Sequence, residues 1–284
     1  MKRQLRRHSK FSLQSAIMLI LFTIMAIVTL TPFISIFLAS LRPGQEIMRQ
    51  GIGLNIDLSI MTFKNYSFLF SGDTPYFTWF KNSIVITAIQ TVLTLIVSAS
   101  VGYGFAMYEF KFKNLLFMCV LITMMIPMEI IMLPLFQLII KIGLIDSIWG
   151  VILPFVAGPL PIFFFRQYLS GMPKDFLDAA RVDGCSEYGI FARIILPLMK
   201  PAFAAMGIFV GMNSWNNFLW PMIVLSSKDK LTLTIGLNTL ITPYGNNYDV
   251  LLAGAVFSVI PIVILFLIFQ KYFIAGMTAG GVKG

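Results

Sequence analysis

Long apolar runs broken by short polar stretches set the pattern of this 284-residue chain. Six runs reach the roughly 20 residues that a helix needs to cross a bilayer. They lie at about 16–41, 82–107, 115–140, 148–168, 202–225 and 250–273. The first, Ala16 to Leu41, is nearly free of charge. It is too long for a secretory leader core and no small-residue cleavage pattern follows it. Pro127 and Pro134 interrupt the third run and Pro261 the sixth, while Pro154, Pro159 and Pro161 make the fourth the most broken. Prolines are tolerated in spans where neighbouring groups re-satisfy the freed backbone. The expected fold is all-α: a polytopic membrane protein with six transmembrane helices, residues 1–284 forming a single membrane domain with no soluble appendage.

Composition agrees with that picture. Hydrophobic residues make up 58% and charged residues 12%, with a mean hydropathy of +0.86. A soluble domain carries roughly twice that charge. The basic balance has a topological meaning. With the N-terminus inside, 14 of the 21 Lys and Arg fall in cytoplasmic segments, including Lys2, Arg3, Lys111, Lys113, Arg181 and Arg193. The other seven, Arg42, Arg49, Lys64, Lys81, Lys141, Lys228 and Lys230, fall outside. This asymmetry predicts both termini in the cytoplasm. The net charge of +9 then reports contact with anionic headgroups rather than nucleic acid. Cys119 in the third span and Cys185 in a cytoplasmic loop cannot pair in this topology.

The segment from Pro173 to Pro197 is the longest polar stretch on the cytoplasmic side. Asp175 can cap a helix starting at Phe176, with Asp178 beside its positive end. Phe176, Leu177, Ala180 and Gly184 share a helix face, and small residues there let another surface approach closely. Gly184 suits a helix stop. Ser186 can cap a second helix that Pro197 closes before the next span. Physically, the first helix reads either as a docking knob or as an interfacial helix lying on headgroups.

The order Asp178-Ala179-Ala180-Arg181-Val182-Asp183-Gly184, followed by Ile194-Ile195-Leu196-Pro197, resembles the loop signature of the membrane subunits of ABC importers. The first position is Asp where that family usually has Glu. Asn213-Ser214-Trp215-Asn216-Asn217-Phe218-Leu219-Trp220-Pro221 is similar to the fifth-span segment of carbohydrate-type permeases. Gly276 to Gly284 resembles the tail of the smaller permease subunit of maltose-type transporters. Asn65-Tyr66 and Asn82-Ser83 also fit, so the resemblance covers about 60–284. It implies a sister permease subunit, two ATPase subunits that bind ATP and Mg, and an extracytoplasmic solute-binding protein, with no cofactor on this chain. Asp178, Ala179, Ala180, Asp183, Gly184, Leu196 and Pro197 would couple to the ATPase. Gly280, Gly281, Val282, Lys283 and Gly284 would reach between the ATPase subunits, although a Gly-rich end also reads as a frayed terminus. The family lies in the bacterial or archaeal cytoplasmic membrane. The loop at 226–249, with Asp229, Thr242, Pro243, Tyr244, Gly245 and Asn246, would meet the binding protein. In the external segment 42–81, Phe77, Trp79 and Phe80 suit an interface belt.

Enzyme chemistry is not expected. The chain lacks G-x-x-x-x-G-K-[ST], and its single histidine, His8, lies in the basic N-terminal tail. Glu129 is the lone intramembrane acid, and a carboxylate there is a functional candidate. Asn213, Asn216, Asn217 and Trp220 stand at i, i+3, i+4 and i+7, one helical stripe. Amides facing lipid are costly, so this stripe should face a solute path or glue helices together. Gln90, Gln137 and Gln167 extend the candidate polar lining. The expected function is permease of an importer for a sugar or oligosaccharide. Glycerol-phosphate import fits the same pattern. An ion-coupled secondary transporter would need intramembrane relay charges and repeat symmetry that the chain does not display.

Overall fold

A computed structural model describes residues 13–54, 56–70, 74–173, 175–241 and 247–281, with backbone alone at Phe176 and 271–281. Every regular element among the described residues is helical. The first, α1 (Leu13–Ser40), is followed by two short helices, α2 (Gly44–Gln50) and α3 (Lys64–Phe70). An unbroken 32-residue rod follows, α4 (Tyr76–Met107). At 1.5 Å per residue it is about 48 Å long.

The next three spans are broken. Helices α5 (Lys113–Met124) and α6 (Met128–Lys141) meet at 104°. The break falls at Pro127, which stands outside helical geometry at ψ 136° and drives its predecessor out of the helical region. Next, α7 (Ile148–Ile152) runs through a 3₁₀ turn at Leu153–Phe155 and meets α8 (Pro159–Ser170) at 41°. The polar loop holds α9 (Asp175–Val182) and α10 (Glu187–Ile190). A π-turn at Phe191–Ile195 leads into α11 (Leu196–Leu198) and then, across a 76° bend, into α12 (Lys200–Trp215). Helices α13 (Leu219–Val224), α14 (Leu233–Thr239) and α15 (Tyr248–Gly281) complete the chain. Three helices are individually long and apolar enough to cross a membrane, or up to six spans if each bent pair counts as one.

Two of the expected boundaries are corrected. Residues 202–225 do not form one helix, because α12 ends at Trp215 and α13 begins at Leu219. Asn216 and Asn217 lie in the gap, where short amide side chains compete for backbone groups and favour turns. The last helix runs past 273 to Gly281, so Gly280 and Gly281 continue a helix, while Val282, Lys283 and Gly284 lie outside the described residues.

The core has two centres, and α4 passes through both. At the end carrying α14, Tyr76, Trp79, Ile86, Trp215, Trp220 and Val224 pack together. At the end carrying α9, Ala99, Tyr103, Phe165, Leu169, Leu177, Ala180, Ile195 and Met199 do so. Helices α4 and α8 touch closely at Gly102, where a Cβ would sit 2.8 Å from Phe165 Cβ and 2.9 Å from the Arg166 amide nitrogen. Arg166 itself lies 3.7 Å over the Phe117 ring, a cation–π contact that eases a charge at the edge of an apolar bundle. Large apolar side chains line the outside of α1, α5 and α15, among them Phe22, Leu116 and Phe266. Contiguous apolar surface on this scale fits lipid or partner subunits and not water.

The segments around α3 and α14 are latched rather than loose. Trp79 is buried, and its Nε1 donates to Lys228 O at 2.9 Å, which removes it from the expected interface belt. Asn82 donates to Asp229 O and Leu231 O, and Ser83 Oγ accepts from Leu233 N. Asn65 donates to Ser40 O and Arg42 O, and Tyr66 shares a 2.6 Å bond with Ser40. Thus Asn65-Tyr66 and Asn82-Ser83 tie these connecting segments to the helices. The expected contacts at Thr242, Pro243, Tyr244, Gly245 and Asn246 lie outside the described residues.

Candidate functional site

The breaks in α5–α6 and α12–α13 open a cavity of about 660 Å³. Its wall holds Gln90 from α4, Glu129 from the first turn of α6, and Asn213, Asn216 and Asn217 around the end of α12. Phe155, Trp220, Met128, Met132 and Met212 supply apolar faces. The five residues expected at a pathway, Glu129, Asn213, Asn216, Asn217 and Trp220, therefore share one wall. They do so across a helix break, not as a continuous stripe. Gln137 and Gln167 are exposed elsewhere and do not line it, whereas Gln90 does.

The hydrogen bonds sort donors from acceptors. Asn213 Nδ2 donates to Phe209 O at 2.8 Å, and Asn216 Nδ2 donates to Met212 O at 2.9 Å. Each amide spends one donor on its own helix, which leaves a second N–H and the oxygen uncommitted by these bonds. Gln90 is oriented oppositely, since its Oε1 accepts from Ser214 Oγ at 3.1 Å. Glu129 adds a carboxyl group near the positive end of α6. Trp220 is 1% exposed, and its Nε1 donates to Gly150 O at 3.1 Å. It is a fixed wall whose ring meets Phe155 edge-on at 6.3 Å. A neutral polyhydroxy solute offers hydroxyl donors to the acceptors and C–H faces to the rings. The lining residues include no Lys, Arg or His.

At the other end, the loop shows strong local definition. Gly184 has φ +78°, a left-handed stop that favours glycine. Cys185 N donates to Ala180 O and Gly184 N to Arg181 O, the two bonds of a Schellman cap. Ser186 Oγ accepts from Gly189 N at 3.2 Å and caps α10 as expected. Helix α9 begins at Asp175, one residue earlier than expected.

The expected outward face of α9 needs correction. Leu177 and Ala180 are 2% and 4% exposed and turn inward to the apolar cluster of α4 and α8. The outward residues are Asp178, Ala179, Arg181, Val182, Asp183 and Gly184. Pro197 does not close the second helix either. It sits within α11, with Leu196 half-buried, and the chain turns at Met199.

Arg181 links the loop together. Its Nε donates to Glu187 Oε1 at 2.8 Å, its Nη2 to Glu187 Oε2 at 3.3 Å, and its Nη1 to Asp178 Oδ1 at 3.1 Å. Tyr108 OH donates to Glu187 Oε2. The Arg181 fork, helped by Tyr108, holds the Glu187 carboxyl below its ordinary range. Burial, then the Glu187 carboxylate, pushes the Tyr108 phenol up, so it remains a donor. Neither Glu187 nor Tyr108 stood out in the sequence, because their partnership joins residues 79 apart in the chain.

Residues 98–279 match the family described as binding-protein-dependent transport system inner membrane component. The chain is 54% identical to the arabinooligosaccharides transport system permease protein AraQ of Bacillus subtilis (strain 168), over 99% of this chain and 100% of that one. It is 35% identical to the lactose transport system permease protein LacG of Rhizobium radiobacter, over 91% of this chain and 92% of that one. Among solved structures, a bacterial ABC transporter involved in the import of the acidic polysaccharide alginate matches with a TM-score of 0.81 and 25% identity, covering 93% of this chain and 99% of that one.

Proposed function

Since the chain belongs to the family of binding-protein-dependent transport system inner membrane components, we propose that it is the permease subunit of an ABC importer for neutral oligosaccharides, with arabinose-containing ones foremost. The observation that carries the substrate class is the cavity wall: amide and carboxyl groups, three aromatic side chains, and no cation among its lining residues. The identity to AraQ along the whole chain supports the arabinose reading. A glycerol-phosphate substrate would call for a cationic partner in a desolvated path, and this half of the path supplies none.

In this reading both termini are cytoplasmic in a bacterial membrane. A sister permease supplies the other half of the path, and a binding protein delivers solute from outside. Two ATPase subunits bind ATP and Mg and receive the exposed face of α9, with Asp178, Ala179, Asp183 and Gly184 at the contact. Leu196 and Pro197 set the angle at which the loop enters α12. Gly280, Gly281, Val282, Lys283 and Gly284 would contact the ATPases. ATP-driven closure of the ATPases would move α9 and rock the bundle between two access states.

The test is transport by the reconstituted complex with its binding protein. Labelled arabinooligosaccharide should accumulate with ATP, and glycerol 3-phosphate should not. Uptake without ATP, or accumulation of glycerol 3-phosphate in place of the sugar, would overturn the proposal.

A further inference from the structure

We propose that Glu187 and Tyr108 form a strut that carries movement of α9 into α4, and through α4 to the cavity wall. The proposal rests on α9 being the ATPase-docking helix. Arg181 on α9 grips both oxygens of Glu187 at the start of α10. The same carboxylate accepts from Tyr108 OH, one residue beyond the end of α4. Tyr108 OH also bonds Tyr103 OH at 3.3 Å, and the Tyr103 ring packs 4.8 Å from Phe191 in the π-turn. Three segments, α9, α10 and the end of α4, thus meet at one carboxylate.

The path continues without a gap. Gln90 lies 18 residues back along α4, about 27 Å away at the helical rise. Helix α4 has no break over that distance, unlike the three bent helix pairs. At its far point Gln90 accepts from Ser214 on α12, two residues before the Asn216–Asn217 break. A tilt of α9 therefore displaces the end of a rod whose other contacts hold the wall of the cavity.

Stability does not explain the cluster. Arg181 and Glu187 side chains are 40% and 47% exposed, and ion pairs in that setting add little to folding. What the arrangement adds is direction. Leu177 and Ala180 also rest on the body of the protein, but an apolar face can slide. A two-pronged guanidinium–carboxylate contact with a phenol on the same carboxylate fixes one relative orientation.

Tyr108→Phe deletes only the hydroxyl and keeps the ring against Tyr103. Glu187→Gln keeps the shape and removes the charge. Each is reconstituted in liposomes with the sister permease, ATPases and binding protein, and both sugar moved per ATP hydrolysed and ATPase content are measured. The ATPases should remain bound, while sugar moved per ATP falls about tenfold in each variant. The double variant should be no worse than either single one, since both cut the same link. Wild-type sugar per ATP in either variant overturns the strut. So does loss of the ATPases from the variants, which would make Glu187 part of the docking surface. A wild-type complex that binds no ATPase overturns the docking reading itself, and the strut with it.

Discussion

The loop around α9 and the cavity around Asn217 are both polar islands in an apolar chain, and they are built in opposite ways. The loop is local. Its caps, its Schellman stop and its Arg181–Glu187 fork all lie within Asp175–Gly189. The cavity is assembled from α4, α6, the 3₁₀ turn after α7 and the break after α12. A device that seats on a partner can be encoded in one stretch and moved as a unit. A wall that surrounds a solute needs atoms from several directions, so it depends on how helices break and cross.

The sharpest way to break this comparison is a pair of substitutions on α9. Ala180→Arg drives a charge into the apolar cluster and should cost about 3–5 kcal/mol, the scale of an uncompensated buried charge. The permease should be lost from the membrane, as blotting of membrane fractions would reveal. Val182, at 88% exposed, faces away from the body. Val182→Arg should leave permease levels normal, within about 0.5 kcal/mol, yet remove the ATPases from the purified complex. Equal permease loss in both would mean that α9 has no free face.

Asn217→Leu tests the cavity. A hydrogen bond lost to a buried solute costs about 1–3 kcal/mol, so uptake per assembled complex should fall roughly ten- to hundredfold. Unchanged kinetics alongside reduced assembly with the sister permease would reassign the amides to helix packing.

Gly184→Ala is a milder probe of the local design. Its left-handed backbone should cost about 1 kcal/mol and fray the end of α9, readable as faster amide exchange at Cys185. An unchanged exchange rate would remove the Schellman stop from the argument.

The smallest effect concerns Asp146, which pins the α6–α7 turn to the segment after α13. Ser227 Oγ donates to Oδ2 at 2.6 Å, and the Ser226 and Ser227 amides donate to Oδ1. The Ser227 hydroxyl, then those amides, hold the carboxyl well below the ordinary aspartate value of about 3.9. The depressed value means that the pin is complete above that value and is lost as pH falls through the lower, folded one. Protease protection of 226–230 should therefore persist from pH 7 to about 4 and fade below. In Asp146→Asn it should already be reduced at pH 7 and vary little with acid. Equal protection in both proteins would show that other contacts hold the segment.

Much of this was legible in the sequence. Apolar runs, Pro127, the Gly184 stop and the Ser186 cap follow from composition and local chemistry. The face of α9 was misread because Leu177 and Ala180 satisfy the same spacing whether they meet a partner or the protein itself. Period alone does not say which side of an amphipathic helix is already taken. The stripe at 213–220 named residues that do share one cavity wall, but not by the geometry it presumed. An i, i+3, i+4, i+7 pattern presumes an intact helix, and the Asn pair that makes the pattern polar also ends the helix. Glu187 and Tyr108 were invisible because their link is tertiary.

Helix α1 stands largely apart from the rest of the chain. Its residues from Ile17 to Leu30 are exposed in the single chain, and it settles against α15 only near its far end, around Ile36 and Ala39. A helix hinged at one end absorbs hydrophobic mismatch by tilting. In a thicker or thinner bilayer α1 can swing to match the hydrocarbon depth while α4 and the cavity stay as they are. Like α15, α1 lines none of the cavity, so a tilt of α1 would leave the cavity wall untouched.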